Sequence, residues 1–400
     1  MHKAKEIITH GKHVLKGIVY LGFGIQIILG VIWMCSNFAH AQHFAPSRLG
    51  IYQWMLECFG RVPQWVYLLQ LVIAFLARYL FVRKVVLLKK WQAVFVTCAL
   101  MTFPFSMQCH MSLQPYSLLN SVFYVVLYFS CTIFGRGKET VRRAILLFIT
   151  LVLFIVFASG VERSRNTSVS GHGWEAHLAS RMAWPTLWID MEPWSEELRE
   201  MAPSGLVWEA AFSPDNMGIL IDRIELKAGR EKAKDYYMEM AKTAWGRRYP
   251  SIVRQLAWDA LGYTVTPLIF PLQMQGVAYD SYSGTNYGVM MEHTPRMTVL
   301  YVTYGCWWFA CMFALVALSG CVRLTGHIKS RRLAFTKEEK RALLPLTICA
   351  IYLFLLVMRG SGMMDYRLSA GVNELWLLLA FLVVENQSVE EEPADVKEER

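Results

Sequence analysis

Apolar residues in this chain gather into eight long runs, near residues 17–36, 64–82, 91–108, 115–134, 144–161, 297–322, 342–358 and 368–384. A hydrocarbon layer about 30 Å thick takes roughly 20 helical residues at 1.5 Å each, so every run approaches the length of a membrane crossing. The pattern predicts an all-α polytopic membrane protein, with about eight transmembrane helices and one mostly helical extracytoplasmic domain. It divides the chain into a five-span bundle (1–161), the outer domain (162–296), a three-span bundle (297–384) and an acidic tail (385–400). The first run is too long for a cleaved signal peptide and lacks a small-residue cleavage site. The third and fourth runs flank a short turn at 109–114 and are expected to form a hairpin.

Within the long polar stretch the apolar period becomes that of surface helices. Ser195 precedes Glu196, Glu197 and Glu200, a capped start with acids at the positive helix end. Ala233, Tyr236, Tyr237, Met240 and Ala244 fall on one stripe, with Lys and Glu opposite. A second helix is expected after Pro250, presenting Ile252, Leu256 and Leu261. Residues 264–276 are apolar but carry Pro267 and Pro271, which suits a segment lying on the membrane surface.

Composition agrees with this organisation. The 400 residues are 55% hydrophobic and 18% charged, against about a quarter charged in soluble domains. Half of the 40 lysines and arginines lie before the first run, in the connectors after the second, fourth and sixth, or, as Arg78, near the end of the second run. Positive-inside bias therefore assigns both termini to the cytoplasm and 162–296 to the outside. The formal +9 resolves into +16 on those cytoplasmic loops, −5 on the tail, −4 on 162–294 and +2 elsewhere. The excess is a topology signal and gives no reason to invoke nucleic acid. All nine cysteines lie in the runs or at their edges, so the outer domain has no disulfide framework. That points to a bacterial plasma membrane.

Little catalytic chemistry stands out. Walker, GxGxxG, HExxH, CxxC and nucleophile-elbow patterns are missing from the sequence. Glu374 and Arg78 are the main ionisable residues within the runs, and Arg78 is expected to snorkel toward the cytoplasm. So few intramembrane charges disfavour a pump or proton-coupled transporter. His172, Glu175 and His177 form H-G-W-E-A-H, and Asp190-Met191-Glu192 has a spacing that can grip a divalent ion. Polar loops produce both strings more often than metal sites do, so no metal or other cofactor is assigned. Asn166-Thr167-Ser168 is a formal glycosylation acceptor. Trp174, Trp184, Trp188, Trp194 and Trp208 suit a membrane interface first and sugar stacking second.

Four pieces give the layout a resemblance to the GT-C-type glycosyltransferases, polytopic enzymes that take sugars from polyprenyl-phosphate carriers at the outer face. Pro46-Ser47-Arg48-Leu49-Gly50-Ile51-Tyr52-Gln53-Trp54-Met55-Leu56, with Phe59-Gly60, is similar to the amphipathic stretch closing that family's first external loop. Phe103-Pro104 and Leu113-Gln114-Pro115-Tyr116-Ser117-Leu118 resemble its third and fourth spans. The large external insertion matches in placement, and Asp365-Tyr366-Arg367 resembles the element entering its terminal spans. The resemblance implies sugar transfer from a polyprenyl-phosphate-linked donor to a cell-surface glycan acceptor, within a lipid bilayer. It implies a substrate-binding role for Arg367, Tyr366 and Asp365, and Arg181 and Arg359 are further cations available for the phosphate.

The family's first external loop usually carries an early acid, yet 37–50 contains none. His40 and His43 occupy it and are the candidate bases, with Glu57 later in the amphipathic stretch. Two alternatives stay open: a non-catalytic scaffold or partner in an envelope-assembly complex, and, less favoured, a lipid-linked-glycan transporter.

Overall fold

The computed structural model describes residues 2–38, 50–113, 115–133, 138–164, 172–187, 194–212, 217–276, 295–330, 337–359 and 366–386. Among these the chain is helical and forms no strand. The helices are α1 (His2–Phe38), α2 (Gly50–Cys58), α3 (Pro63–Lys84), α4 (Lys90–Met101), α5 (Pro104–His110), α6 (Tyr116–Thr132) and α7 (Lys138–Ser164). They continue as α8 (Trp174–Ala183), α9 (Glu196–Met201), α10 (Ser204–Phe212), α11 (Met217–Ala228) and α12 (Arg230–Gly276). The last three are α13 (Pro295–Ser330), α14 (Lys337–Arg359) and α15 (Tyr366–Asn386).

Four described stretches are long and apolar enough to cross a membrane: His10–Phe38, Pro63–Lys84, Glu139–Ala158 and Arg296–Val322. A fifth is added if α4 and α5, bent by 79° at their junction, form one broken crossing. Tyr116–Thr132 and Leu344–Met358 are apolar but shorter.

The run 91–108 is therefore not the straight span the sequence suggests. Pro104 has no N–H to donate, and its ring drives Phe103 to an extended φ of −62° and ψ of 131°. Backbone carbonyls freed by the break are satisfied from neighbouring helices. Gln26 Nε2 of α1 donates to Ala99 O at 2.6 Å, and the Tyr301 hydroxyl of α13 donates to Thr102 O. This is the condition for tolerating irregular backbone at membrane depth. Glycines admit the close approach: a Cβ on Gly305 would overlap the Pro104 ring, and one on Gly30 would press on Thr102.

Polar contacts distinguish the two ends of the bundle. At one end Glu385 of α15 accepts from Tyr20 of α1 and Gln92 of α4, each at 2.9 Å, and pairs with Lys16 at 2.9 Å. Toward the other, Trp33 Nε1 of α1 donates to Thr298 of α13 at 3.0 Å. Twenty-one residues of α15 span about 30 Å, so its start lies far from Glu385.

A second core, separate from the bundle's, joins α8 to α12. Ala233, Tyr236, Tyr237, Met240 and Ala244 are all buried in it, as their spacing predicts, with Ile221 and Ile224 of α11 opposite. Ser195 caps α9 by accepting from Leu198 N–H at 3.3 Å. The helix expected after Pro250 is continuous with the one before it. Two kinks mark it instead, at Arg248 and Val265. Each lies two residues before a proline, whose ring clashes with the carbonyl one turn back. Ile252 is buried and Leu256 packs on this core, but Leu261 is half exposed, beyond the first kink. Most side chains expected on the membrane surface, including those of 268–276, lie outside the described set.

Candidate functional site

Two buried charge pairs offer candidate chemistry. The first is inside the bundle. Arg78 on α3 donates from Nε to Glu374 Oε2 at 2.7 Å and from Nη2 to Oε1 at 2.6 Å, and neither side chain reaches solvent. Ser106 of the bent α5 donates to the same Oε1, and the Arg78 guanidinium lies 4.9 Å from the Tyr124 ring centre. One carboxylate thus ties α3, α5 and α15 together, with α6 supplying an aromatic face to the cation. The expected snorkelling of Arg78 is corrected here. Helical side chains lean toward the helix N-terminus, and Arg78 Nη1 reaches back to Ala74 O at 3.3 Å. The guanidinium therefore points away from the basic connector that follows α3.

Beside this pair, His110 Nδ1 and Ser117 Oγ are 2.8 Å apart, bridging α5 to the first turn of α6. Gln70 of α3 donates to the Tyr52 hydroxyl at 3.2 Å and to Ser112 O at 3.3 Å. The bent segment is thus fixed by polar contacts on several sides.

The second pair lies where the second core meets the bundle. Arg181 of α8 donates from Nη2 to Asp259 Oδ2 of α12, and Gln255 Nε2 holds the other oxygen at 2.9 Å. Arg181 and Asp259 are only 6% and 5% exposed, so the pair is desolvated. Arg181 Nε and Trp184 Nε1, one turn apart, are buried donors with no hydrogen-bond partner among the described residues. Met358, the penultimate residue of α14, packs against this second core. α8 contacts α14, and α12 contacts α13, α14 and α15. The helices of the second core therefore sit on the bundle end remote from Glu385.

No family model, curated protein or solved structure matches this chain.

Arg181 is brought to this junction, although Asp259 already engages it. Arg359 ends α14 and Tyr366-Arg367 begin α15, so three helix elements bearing the expected binding residues converge there. The side chains of Arg359, Tyr366 and Arg367 lie outside the described set, as do Asp365, His40 and His43 entirely. Glu57 is exposed on α2, with Gln53 Nε2 3.5 Å from it, while Tyr52 and Met55 take the buried face. Asp190, Glu192, Asn166 and Trp188 also lie outside the described residues.

In H-G-W-E-A-H, His172 does not join Glu175 and His177 around a common centre. Its Nδ1 lies 2.6 Å from Glu225 and its Nε2 2.8 Å from Asp222, so it braces α11. Among the described residues no three His, Cys, Asp or Glu side chains form a metal-holding group. Burial first, and then His172, holds the His177 imidazole below its ordinary value. The tryptophans divide: Trp194 is a core residue, whereas Trp174 and Trp208 are exposed.

Sequence reasoning missed Asp259, Ser106, Tyr124 and His110. Asp259 sits in an ordinary amphipathic helix, and its importance comes from a partner 78 positions away. Ser106 had one available signal, a polar residue inside an apolar run, whereas His110 falls in the turn that follows it.

Proposed function

We propose that the chain is a membrane glycosyltransferase-like protein, moving a sugar from a polyprenyl-phosphate carrier to a cell-surface glycan or polymer. The observation that supports this best is the convergence of helix elements bearing Arg181, Arg359, Tyr366 and Arg367 at one end of the bundle. Unpartnered donors at Arg181 Nε and Trp184 Nε1 suit an oxygen-rich ligand there. On this proposal all eight apolar runs cross a bacterial plasma membrane, with α4 and α5 as one broken crossing. Lys16 and Glu385 mark the cytoplasmic end, and 162–296 stands outside.

The transfer is a displacement at the anomeric carbon. The acceptor hydroxyl oxygen bonds to that carbon while the carbon–oxygen bond to the phosphate breaks. The electron pair departs on polyprenyl phosphate, whose charge the arginines offset, and the acceptor proton passes to a base. His40 and His43 are the candidates for that base. Asp259 acts as a positioning residue, because Arg181 and Gln255 engage both its oxygens.

The test is purified protein in lipid nanodiscs, given a radiolabelled polyprenyl-phosphate hexose. Expected is release or transfer of label that falls at least 100-fold in Arg367→Ala. A wild-type protein that neither releases label nor retains the lipid better than Arg367→Ala overturns the proposal.

A second reading, a non-catalytic partner in envelope assembly, draws support from Arg181 being already neutralised by Asp259. It expects a synthase to co-purify and function to survive simultaneous replacement of His40, His43 and Glu57.

A further inference from the structure

Helix α12 changes character along its exposed side. Between Arg230 and Ala244 that side carries charges of both signs, through Glu231, Lys232, Asp235 and Lys242. From Trp245 onward it turns aromatic and apolar. Trp245, Tyr249, Val253, Ala257 and Leu261 recur every four residues, and every one of them is exposed. Such a row forms an inclined ridge on a helix surface. The backbone kinks within it at Arg248, yet the Trp245 and Tyr249 ring centres stay 6.4 Å apart. Trp258, 61% exposed, stands beside the ridge, one turn beyond Arg254. Ile252 and Leu256 are turned into the second core instead, and Asp259 toward Arg181. This part of α12 is therefore apolar on two sides, one packed on protein and the other bare.

Charge narrows what covers the bare side. Residues 245–262 hold three arginines and one acid, and that acid is Asp259, buried against Arg181. Arg247 and Arg254 are exposed, and among the described residues no carboxylate pairs with either. The covering partner is thus apolar and anionic at once.

Position narrows it further. α12 rests against α13, α14 and α15 at the bundle end remote from Glu385. At that end Val299 and Leu300 of α13, with Phe354 and Leu355 of α14, are exposed as well. Bare apolar side chains on helices that cross a bilayer face hydrocarbon, so the ridge starts where the bilayer surface lies. Tryptophan and tyrosine favour that depth. An arginine there holds a phosphate bidentately while its stem lies along apolar atoms.

We propose that the exposed side of α12 from Trp245 to Leu261 is a seat for anionic phospholipid headgroups of the leaflet at that bundle end. The indoles and the ridge enter the interface, and Arg247 and Arg254 take the phosphates. The seat requires that the bundle cross a membrane but not that the protein transfer a sugar, so the two readings fail separately.

The experiment places a photoreactive benzophenone amino acid at position 258 of the full-length protein, one aromatic side chain for another. The protein is reconstituted in nanodiscs of about four parts phosphatidylcholine to one part phosphatidylglycerol, irradiated, and its adducts weighed by mass spectrometry. Lipid adducts are expected, with phosphatidylglycerol enriched at least about 3-fold over its share of the bilayer. Arg247→Gln combined with Arg254→Gln should return the adducts to the bulk ratio without abolishing them. The same probe at Leu226, exposed on α11 of the second core, should capture little lipid. All four positions are at the surface, and an unchanged melting temperature is the folding control; if the probe at 258 fails it, Tyr249 is the second position. Absent lipid adducts, adducts to a second copy of the chain in their place, equal capture at Leu226, or a bulk lipid ratio in the protein with both arginines would overturn the seat. Enrichment that survives the double arginine replacement would overturn it too.

Discussion

Arg78 and Glu374 lie 296 positions apart and meet through two parallel hydrogen bonds of 2.7 and 2.6 Å, both side chains fully buried. Breaking such a pair strands the survivor as an unpaired charge, at a cost of about 3–5 kcal/mol. Glu374→Gln and Arg78→Met should each lower the melting temperature sharply. The double replacement Arg78→Met with Glu374→Leu should recover much of the loss, since the desolvation penalty disappears with the pair. Thermal unfolding in nanodiscs checks this, and additive losses would contradict it.

The break between α4 and α5 makes a steric prediction. A methyl group at Gly305 would overlap the Pro104 ring, whereas one at Gly11 meets nothing within 4 Å. Gly305→Ala should therefore destabilise by about 1–3 kcal/mol, the usual range for overpacking. Gly11→Ala should be neutral or slightly favourable, as expected in a helix interior. Chemical unfolding of the two variants side by side separates packing from propensity.

These features mark where local pattern stops being informative. The stripe from Ala233 to Ala244 and the Ser195 cap were legible because helix period and capping are properties of neighbouring residues. Arg78 and Glu374 were each visible as intramembrane charges, but nothing local encodes that they face one another. The direction of Arg78 follows from the lean of helical side chains, a cue stronger here than its nearness to a basic connector. Phe103-Pro104 was visible too, yet a break there depends on Gln26 and Tyr301 supplying donors from distant helices. Of the candidate site, the cations were legible and Asp259 was not, because a carboxylate on an amphipathic helix looks the same whether solvated or paired.

Acid should loosen the helices of the second core in two stages. The folded His177 imidazole sits below its ordinary value of 6.5, chiefly through burial, so the unfolded chain takes up the proton first as pH falls. Its contribution is complete above about pH 6.5 and is lost progressively below it. Glu197 follows at lower pH. The hydrogen bond from Tyr236 first, and then Lys232, depresses its carboxyl, so its contribution holds above about 4.5 and fades as pH drops through the folded value. Melting temperatures of the full chain at pH 7.5 and 5.5 should differ, and His177→Gln should shrink that difference. Tyr236→Phe should leave it intact while reducing the further drop toward pH 4.

The pairing of Arg181 with Asp259 also has a separable consequence. If Asp259 only stabilises the fold, Asp259→Asn should act like any buried-pair lesion, costing about 3–5 kcal/mol. Lipid affinity would then follow the folded fraction. If it positions the guanidinium for a ligand at the bundle end, the neutral asparagine leaves Arg181 with a full uncompensated charge. Affinity for a polyprenyl phosphate should then rise or hold in the folded fraction, while sugar transfer falls because the cation is no longer aimed. The measurement is lipid binding and label transfer on the same Asp259→Asn preparation, each normalised to folded protein. A parallel Arg181→Lys variant keeps the charge but loses the planar fork. Normalised readouts that both stay at the wild-type level in both variants would assign the pair to stability alone, whereas retained binding with lost transfer would assign it to positioning.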